Sequence, residues 1–339
     1  MWTENFSLLP YNTFGIQAHC KRFVDYQSVD ELREALKQIH HSFPNDPILC
    51  VGEGSNLLFT KDFEGTVIHS SMTDYEILPY NDQHALIKAE AGLNWDKFVA
   101  ICLENKLYGL ENLSYIPGTV GASAVQNIGA YGVEAEQYIY RVYAIEIATS
   151  ELRTFSHDEL NYGYRQSIFK QAWKGQFIIT HVAYKLSLQF NPQIQYGSLS
   201  KVIADSDMSE PLTAQSLREL ITKIRRMKLP EPTDLGSAGS FFMNPVVTSE
   251  KFQSLQQAYP NIPHYIVADG VKVPAGWLIE QCGWKGHRQG AAGVYDKQAL
   301  VLVNHGGATG ADIVALSEAI CRSVDDKFGI QIKPEVNFI

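Results

Sequence analysis

Hydrophobic positions along the chain switch repeatedly between two spacings. "SVDELREALKQIHH" places Val29, Leu32, Leu36 and Ile39 on one helical face, and Ser28 and Glu31 have the spacing of a capping box. "NWDKFVAICLENKLYG" predicts a second helix, with Asn94 as its cap and Gly109 beyond its end. "TAQSLRELITKIRRMKLPEP" lines up Leu217, Leu220, Ile221 and Ile224, and Pro230 and Pro232 stop it. "GWLIEQCG" and "GADIVALSEAICRSVDDKFG" are helical and each is followed by Gly. Between these lie strand patterns: "ALIKAEAG", "YIYRVYAIEIAT", "FIITHVAYKLSL", "ALVLVN" and "IQIKPEVNFI". The mixture predicts an α/β or α+β chain, with a domain boundary at the Pro-rich exit near 230–232.

Two glycine-rich segments interrupt the pattern. Gly52-Glu53-Gly54-Ser55-Asn56 follows an apolar run directly. It reads equally as a tight turn or a ligand loop. The other, "IPGTVGASAVQNIGAYG" at 116–132, holds Gly118, Gly121, Gly129 and Gly132 and is longer than a turn requires. Glycine lets backbone N–H groups approach a ligand, and successive N–H groups form an anion nest. Two such loops facing each other would suit a dinucleotide pyrophosphate, with Gln126 and Asn127 reading its polar groups. No Lys follows the glycines as a P-loop requires, and "GEGSN" lacks the third Gly of a Rossmann fingerprint.

Composition narrows the function classes. The 339 residues carry a formal charge of −9, which makes nucleic acid a poor partner, so an anionic ligand would need a locally basic pocket. The 5 cysteines form no C-x-x-C pair and fit a reduced cytosolic compartment better than a disulfide framework or zinc site. No signal-peptide pattern and no apolar run of membrane-spanning length occurs.

Three polar places remain. Arg165, beside Tyr164 in "NYGYRQSIFK", offers a planar fork for a carboxylate or phosphate, or else makes a surface salt bridge. Lys228 ends a helix, where a cation is favoured in any case, and Ser240 follows in a small-residue loop that is not a nucleophile elbow. Glu335 sits inside the apolar C-terminal pattern, as a functional carboxylate or a solvent-facing strand end.

Taken together, "VGEGSNLLF", "IPGTVGASAVQNIGAYG", "YGYRQSIFK", "KLPEPTDLGSAGSFFMNP", "GWLIEQCGWKG" and "PEVNFI" resemble, in order, the signature blocks of the UDP-N-acetylenolpyruvoylglucosamine reductases. "YNTFGI" near the start also fits. The resemblance covers the chain from about residue 50 to the end. It implies an α+β chain: a two-part FAD-binding module of the p-cresol methylhydroxylase/vanillyl-alcohol oxidase type (1–70 and 71–228), an α/β substrate-binding domain (229–330) and a C-terminal strand (331–339) carrying Glu335. It further implies non-covalent FAD, NADPH as hydride donor, a UDP-sugar substrate, and a cytoplasmic monomer serving peptidoglycan synthesis. The implied reaction reduces UDP-N-acetylglucosamine enolpyruvate to UDP-N-acetylmuramate, with hydride passing from flavin N5 to C3 and a proton from Ser240 to C2.

By the same resemblance, Gly52, Glu53, Gly54, Ser55 and Asn56 wrap FAD, together with Pro117, Gly118, Thr119, Gly121, Ala122, Gln126, Asn127, Gly129, Ala130 and Tyr131. Arg165 binds the enolpyruvyl carboxylate with Tyr164 beside it, Ser240 donates the proton, and Glu335 polarises the carboxylate. Lys228 binds substrate, Asn244 and Gln298 touch the nucleotide, Lys272 and Lys285 offset diphosphate charge, and Tyr196 closes a loop over the uridine. Two readings compete with this one. Another flavoenzyme of the same fold need not keep Lys228, Ser240 and Glu335; a non-catalytic binding module would hold ligand without turnover.

Overall fold

A computed structural model describes residues 2–195, 199–200, 202–203 and 211–339. The chain forms two compact units, each assembled from several stretches. The first comprises Met1–Phe6, Cys20–Glu53 and Glu64–Arg225; the second comprises Ser7–His19, Gly54–Phe63 and Arg226–Ile339. The units interleave along the chain, whereas the division expected at 70, 228 and 330 is linear. Residues 7–19 and 54–63 group with the C-terminal stretch, and the first glycine-rich loop passes from one unit to the other between Glu53 and Gly54.

The first unit holds two sheets. In one, Thr3–Ser7, His19–Tyr26, Phe63–Ser70 and Ile48–Val51 lie side by side, the last two parallel. The helix Val29–Ser42 packs on it because Leu32, Leu36 and Ile39 point at Val24 and Ile68. Ser28 Oγ accepts the Glu31 N–H, while the Glu31 carboxylate reaches back to the Gln27 N–H, one residue before the cap. The other sheet is antiparallel, in the order Leu152–Ser156, Ile139–Glu146, Phe177–Ser187, His84–Glu90, Tyr75–Pro79.

Against this sheet pack the helices Trp95–Glu104 and Val120–Gln126, around Trp95, Phe98 and Tyr184, all fully buried. Each such aromatic contributes roughly 1.5–3 kcal/mol by leaving water. Their polar ends are met: Trp95 Nε1 donates to Leu113 O at 2.8 Å, and the Tyr184 and Ser123 hydroxyls lie 2.7 Å apart. Asn94 caps the first helix as expected, but the helix stops at Glu104, with Lys106 in the left-handed region (φ +57°). Gly109 serves a different need: a Cβ there would lie 2.3 Å from the Tyr138 ring. The helix Ala214–Lys228 buries Leu217, Ile221 and Ile224 as its spacing predicts.

In the second unit, Gly236–Ser240, Val301–Asn304, Ala292–Val294 and Arg288–Gln289 form an antiparallel sheet backed by the helix Gly310–Phe328. A smaller sheet orders Val246–Val247, Gly270–Lys272 and Tyr265–Val267. The N-terminal "YNTFGI" segment is pinned by the buried Asn12, whose amide bonds Leu8 O, Ile16 O and Ile16 N. "IQIKPEVNFI" alternates in burial, with Ile330 and Ile332 inside, yet regular strand is confined to Asn337–Phe338, parallel to Leu57–Leu58. Upstream there is a single bridge, Phe242 with Pro334. The bonds on either side of it, Met243 N to Lys333 O and Glu335 N to Phe241 O, make Phe242 and Pro334 a non-bonded pair, a position where this ladder needs no proline N–H.

Candidate functional site

The glycine-rich segment at 116–132 is not a long loop. Thr119 caps a short helix, Val120–Gln126, and Asn127 ends it in the left-handed region (φ +45°). Most of its early N–H groups are used inside the protein. Gly118 donates to Glu53 Oε2 at 2.7 Å, Val120 to Leu93 O and Gly121 to Ala91 O. Gly121 allows close packing, since a Cβ there would lie 2.8 Å from that of Ala91. The small residues thus serve helix–sheet contact first.

One N–H is turned away from these contacts. Asn94 and Thr119 face each other without bonding each other; the flanking bonds Trp95 N to Gly118 O and Val120 N to Leu93 O close the pair. The Thr119 N–H therefore points away from Asn94. Beside it lies Gly52, where a Cβ would sit 2.9 Å from Thr119 Oγ1. Gly52 thus admits the buried Thr119 side chain, and an N–H turned away from the pair is the kind of donor a phosphate-bearing cofactor such as FAD uses. The Glu53 carboxylate is engaged elsewhere. It accepts from Asn94 Nδ2 at 2.6 Å and from Gly118 N–H, clasping the two glycine-rich segments together.

Asn127 also departs from expectation. It is fully buried, and its amide is saturated by Glu134 Oε2, Gly163 O and Glu136 N–H, so it cannot read a ligand. Gln126 Oε1 accepts from Lys170 Nζ at 2.9 Å. Both residues face the hairpin that carries Arg165. The Arg165 guanidinium donates to Gly129 O at 2.8 Å and to Asn127 O at 3.3 Å, and lies 5.3 Å from the Tyr164 ring centroid.

A second guanidinium, Arg225, was visible in sequence only as a neighbour of Lys228. Its Nε donates to Tyr115 O at 2.9 Å. Burial, and then repulsion by Arg165, lowers its pKa, while the phenol of Tyr131 and the carboxylate of Asp96 oppose the shift. Burial raises Tyr131, and Arg225 partly offsets this. Asp96 is pushed up by burial, but bidentate Arg218 (2.6 and 2.8 Å) and the Tyr115 N–H hold it below the usual carboxylate range. The sequence signal was the spacing: Arg218 and Arg225 lie seven apart, on one face of a helix. Arg165, Arg225 and Tyr131 thus make an electropositive corner of the first unit.

In the second unit, Ser240 ends its strand and is exposed, while Phe241 and Phe242 behind it are buried. Phe241 O accepts the Glu335 N–H at 2.7 Å, and Asn56 Nδ2 donates to Glu335 O at 3.4 Å. Ser240 and Glu335, 95 positions apart, are therefore on adjoining backbone. Gly54 accepts the Thr13 N–H through its carbonyl. Lys228 is exposed at the end of its helix. Asn244 Oδ1 accepts the Ala275 N–H, and Gln298 Oε1 accepts the Leu300 N–H. Lys272 lies on the central strand of the small sheet. Lys285 pairs with Glu280 at 2.9 Å. Tyr196 lies outside the described residues.

Comparison with known proteins matches two parts of the chain. Residues 231–339 match the model of the UDP-N-acetylenolpyruvoylglucosamine reductase C-terminal domain, and residues 21–155 match an FAD binding domain. The chain is 48% identical over 337 residues to UDP-N-acetylenolpyruvoylglucosamine reductase of Bacteroides fragilis, spanning 99% of both chains. It is equally identical to that of Porphyromonas gingivalis, spanning 99% of this chain and 98% of the other. The crystal structure of the reductase from Thermus caldophilus has the same fold, with a TM-score of 0.67 at 21% identity, spanning 100% of this chain and 98% of that one. By full-length identity and by the match of its C-terminal domain, this chain belongs to the UDP-N-acetylenolpyruvoylglucosamine reductase family.

Proposed function

We propose that this chain is an FAD-dependent oxidoreductase that uses NADPH to reduce UDP-N-acetylglucosamine enolpyruvate to UDP-N-acetylmuramate, a peptidoglycan precursor. The observation that carries the chemistry is the Phe241–Glu335 backbone pairing, which sets a hydroxyl and a carboxyl group on neighbouring chain segments. Residues around Gly52 and Thr119 hold the cofactor. When bound, FAD supplies the two-electron chemistry. The protein binds, orients and moves a proton.

Arg165 binds the enolpyruvyl carboxylate by charge-assisted hydrogen bonds. Lys228, and Glu335 with its carboxyl protonated as a hydrogen-bond donor, stabilise the negative charge that spreads from C2 into that carboxylate; groups fixed beforehand are most effective where water is excluded. Ser240 delivers its proton to C2. Serine is a weak acid, so it works only against a strongly basic carbon held in line with the hydroxyl. Lys272 and Lys285 offset diphosphate charge. For Lys285 this means exchanging Glu280 for the ligand, a change of partner worth under about 1 kcal/mol at the surface. Residues 229–330 serve substrate binding, and the enzyme acts as a cytoplasmic monomer. Among the described residues no helix is long and apolar enough to cross a membrane.

Ser240→Ala separates the two half-reactions. Product formation falls by about 10²–10⁴-fold, the usual contribution of a general acid. NADPH-driven bleaching of the flavin absorbance, followed by stopped flow, keeps its rate. Equal loss of both removes Ser240 from the proton-transfer role.

A further inference from the structure

Arg165 sits at the tip of a very tight hairpin. Gly163 and Gln166 exchange both backbone bonds, at 3.2 and 2.9 Å, leaving Tyr164 and Arg165 as the two turn residues. Arg165 itself has φ +57°, a conformation that L side chains other than Asn and Asp seldom adopt. A hairpin this short, with an unfavourable residue at its tip, does not hold its own shape.

Its shape is held from outside, by the end of the glycine-rich stretch. Ser167 Oγ, fully buried, donates to Val125 O at 2.6 Å. Asn127 Nδ2 donates to Gly163 O at 2.9 Å, on the opposite arm. Lys170 Nζ donates at once to Gln126 Oε1 and, at 3.1 Å, to the carbonyl of Arg165. The guanidinium then bonds back to the carbonyls of Asn127 and Gly129. Backbone and side chain of Arg165 are therefore registered against the same five residues, 125–129.

We propose that Lys170 and Asn127 are positioning residues for Arg165, and that through them the glycine-rich stretch sets the direction of the carboxylate-binding fork. Lys170 fixes the peptide from which the arginine side chain departs; Asn127 fixes the opposite arm and receives the guanidinium on its own carbonyl. The inference rests on Arg165 being the carboxylate site.

The test compares two ligands that differ in that carboxylate. UDP-N-acetylmuramate carries it, and UDP-N-acetylglucosamine lacks it. Their affinities for the oxidised FAD-loaded enzyme are measured by calorimetry, and the ratio is the readout. Lys170→Met is expected to lower the preference for UDP-N-acetylmuramate about tenfold, the scale of one charge-assisted hydrogen bond. UDP-N-acetylglucosamine affinity stays the same. In an Arg165→Met background Lys170→Met changes nothing further, because the two residues act as one unit. Gln126→Ala, a milder variant that frees the lysine from one partner, lowers the ratio about threefold. An unchanged ratio in folded Lys170→Met and Gln126→Ala enzymes overturns the proposal, as does equal weakening of both ligands. If Arg165→Met alone leaves the ratio unchanged, the reading of Arg165 falls, and this inference falls with it.

Discussion

Gly129→Ala perturbs the carboxylate site while adding only one methyl group. Gly129 does not occupy the left-handed region, so alanine brings no backbone strain. What it meets is specific: Arg165 Nη1 at 2.9 Å, Glu134 Cγ at 3.0 Å and Val133 O at 3.0 Å. The side-chain contacts yield more easily than the carbonyl, because the nearest is the far end of a flexible arginine. Overpacking costs about 1–3 kcal/mol in a rigid core; here the lower end applies, about 1 kcal/mol. That lowers the Tm by about 2–4 °C. The functional cost is larger. The guanidinium must swing off Gly129 O, now 2.8 Å away. Hydrogen bonds to charged groups are worth about 1.5–3 kcal/mol, so carboxylate binding weakens by about 10–100-fold. The assay pairs thermal unfolding with calorimetric titration of UDP-N-acetylmuramate into the FAD-loaded enzyme. A large fall in Tm with unchanged affinity would refute the reasoning, showing that Gly129 packs the strand rather than admitting Arg165.

Two further outcomes concern stability. Gly54→Ala places a Cβ 1.9 Å from Tyr11 O in a residue already at φ +66°, so strain and overpacking add to about 3–5 kcal/mol; denaturant unfolding within about 1 kcal/mol of the parent would contradict this. The His181 pKa is lowered to about 4, by burial first and then by Lys88. The folded protein thus favours the neutral ring. Glu76 opposes the shift, and the ring is partly exposed, so its contribution is reduced to on the order of 1 kcal/mol; it is whole above the ordinary value of 6.5 and is lost as pH falls toward 4. Urea unfolding at pH 7 and at pH 4.5 checks this, with His181→Gln flattening the difference; an equal acid loss in that variant contradicts it.

How much of this was legible beforehand depends on the separation of the partners. The helices at 29–42, 214–228 and 310–328 declare themselves because cap, apolar stripe and stop lie within one window. The helix at 120–126 does not, because its buried face is made of Val120, Gly121, Ser123 and Ala124, too small to register as an apolar stripe. Thr119 was the only local sign of it. The C-terminal alternation was real as burial but misleading as one continuous strand, since pairing is split between a bridge at Phe242–Pro334 and the short parallel strand Asn337–Phe338. In the candidate site, Arg165, Ser240 and Glu335 were identified by resemblance. The adjoining of Ser240 and Glu335, and the clasp made by Glu53, depend on contacts between distant positions that no local pattern encodes. Asn127 was misread for the same reason: an amide suited to a ligand is equally suited to a buried hairpin 36 residues away.

The central claim is that this chain couples NADPH oxidation to reduction of an enolpyruvyl UDP-sugar through FAD. The direct measurement is the visible spectrum of the FAD-loaded protein, followed anaerobically through two additions. NADPH is predicted to bleach the flavin bands, and UDP-N-acetylglucosamine enolpyruvate to restore them in one equivalent. Bleaching without recovery would contradict the substrate assignment, and failure to bind FAD at all would contradict the account as a whole.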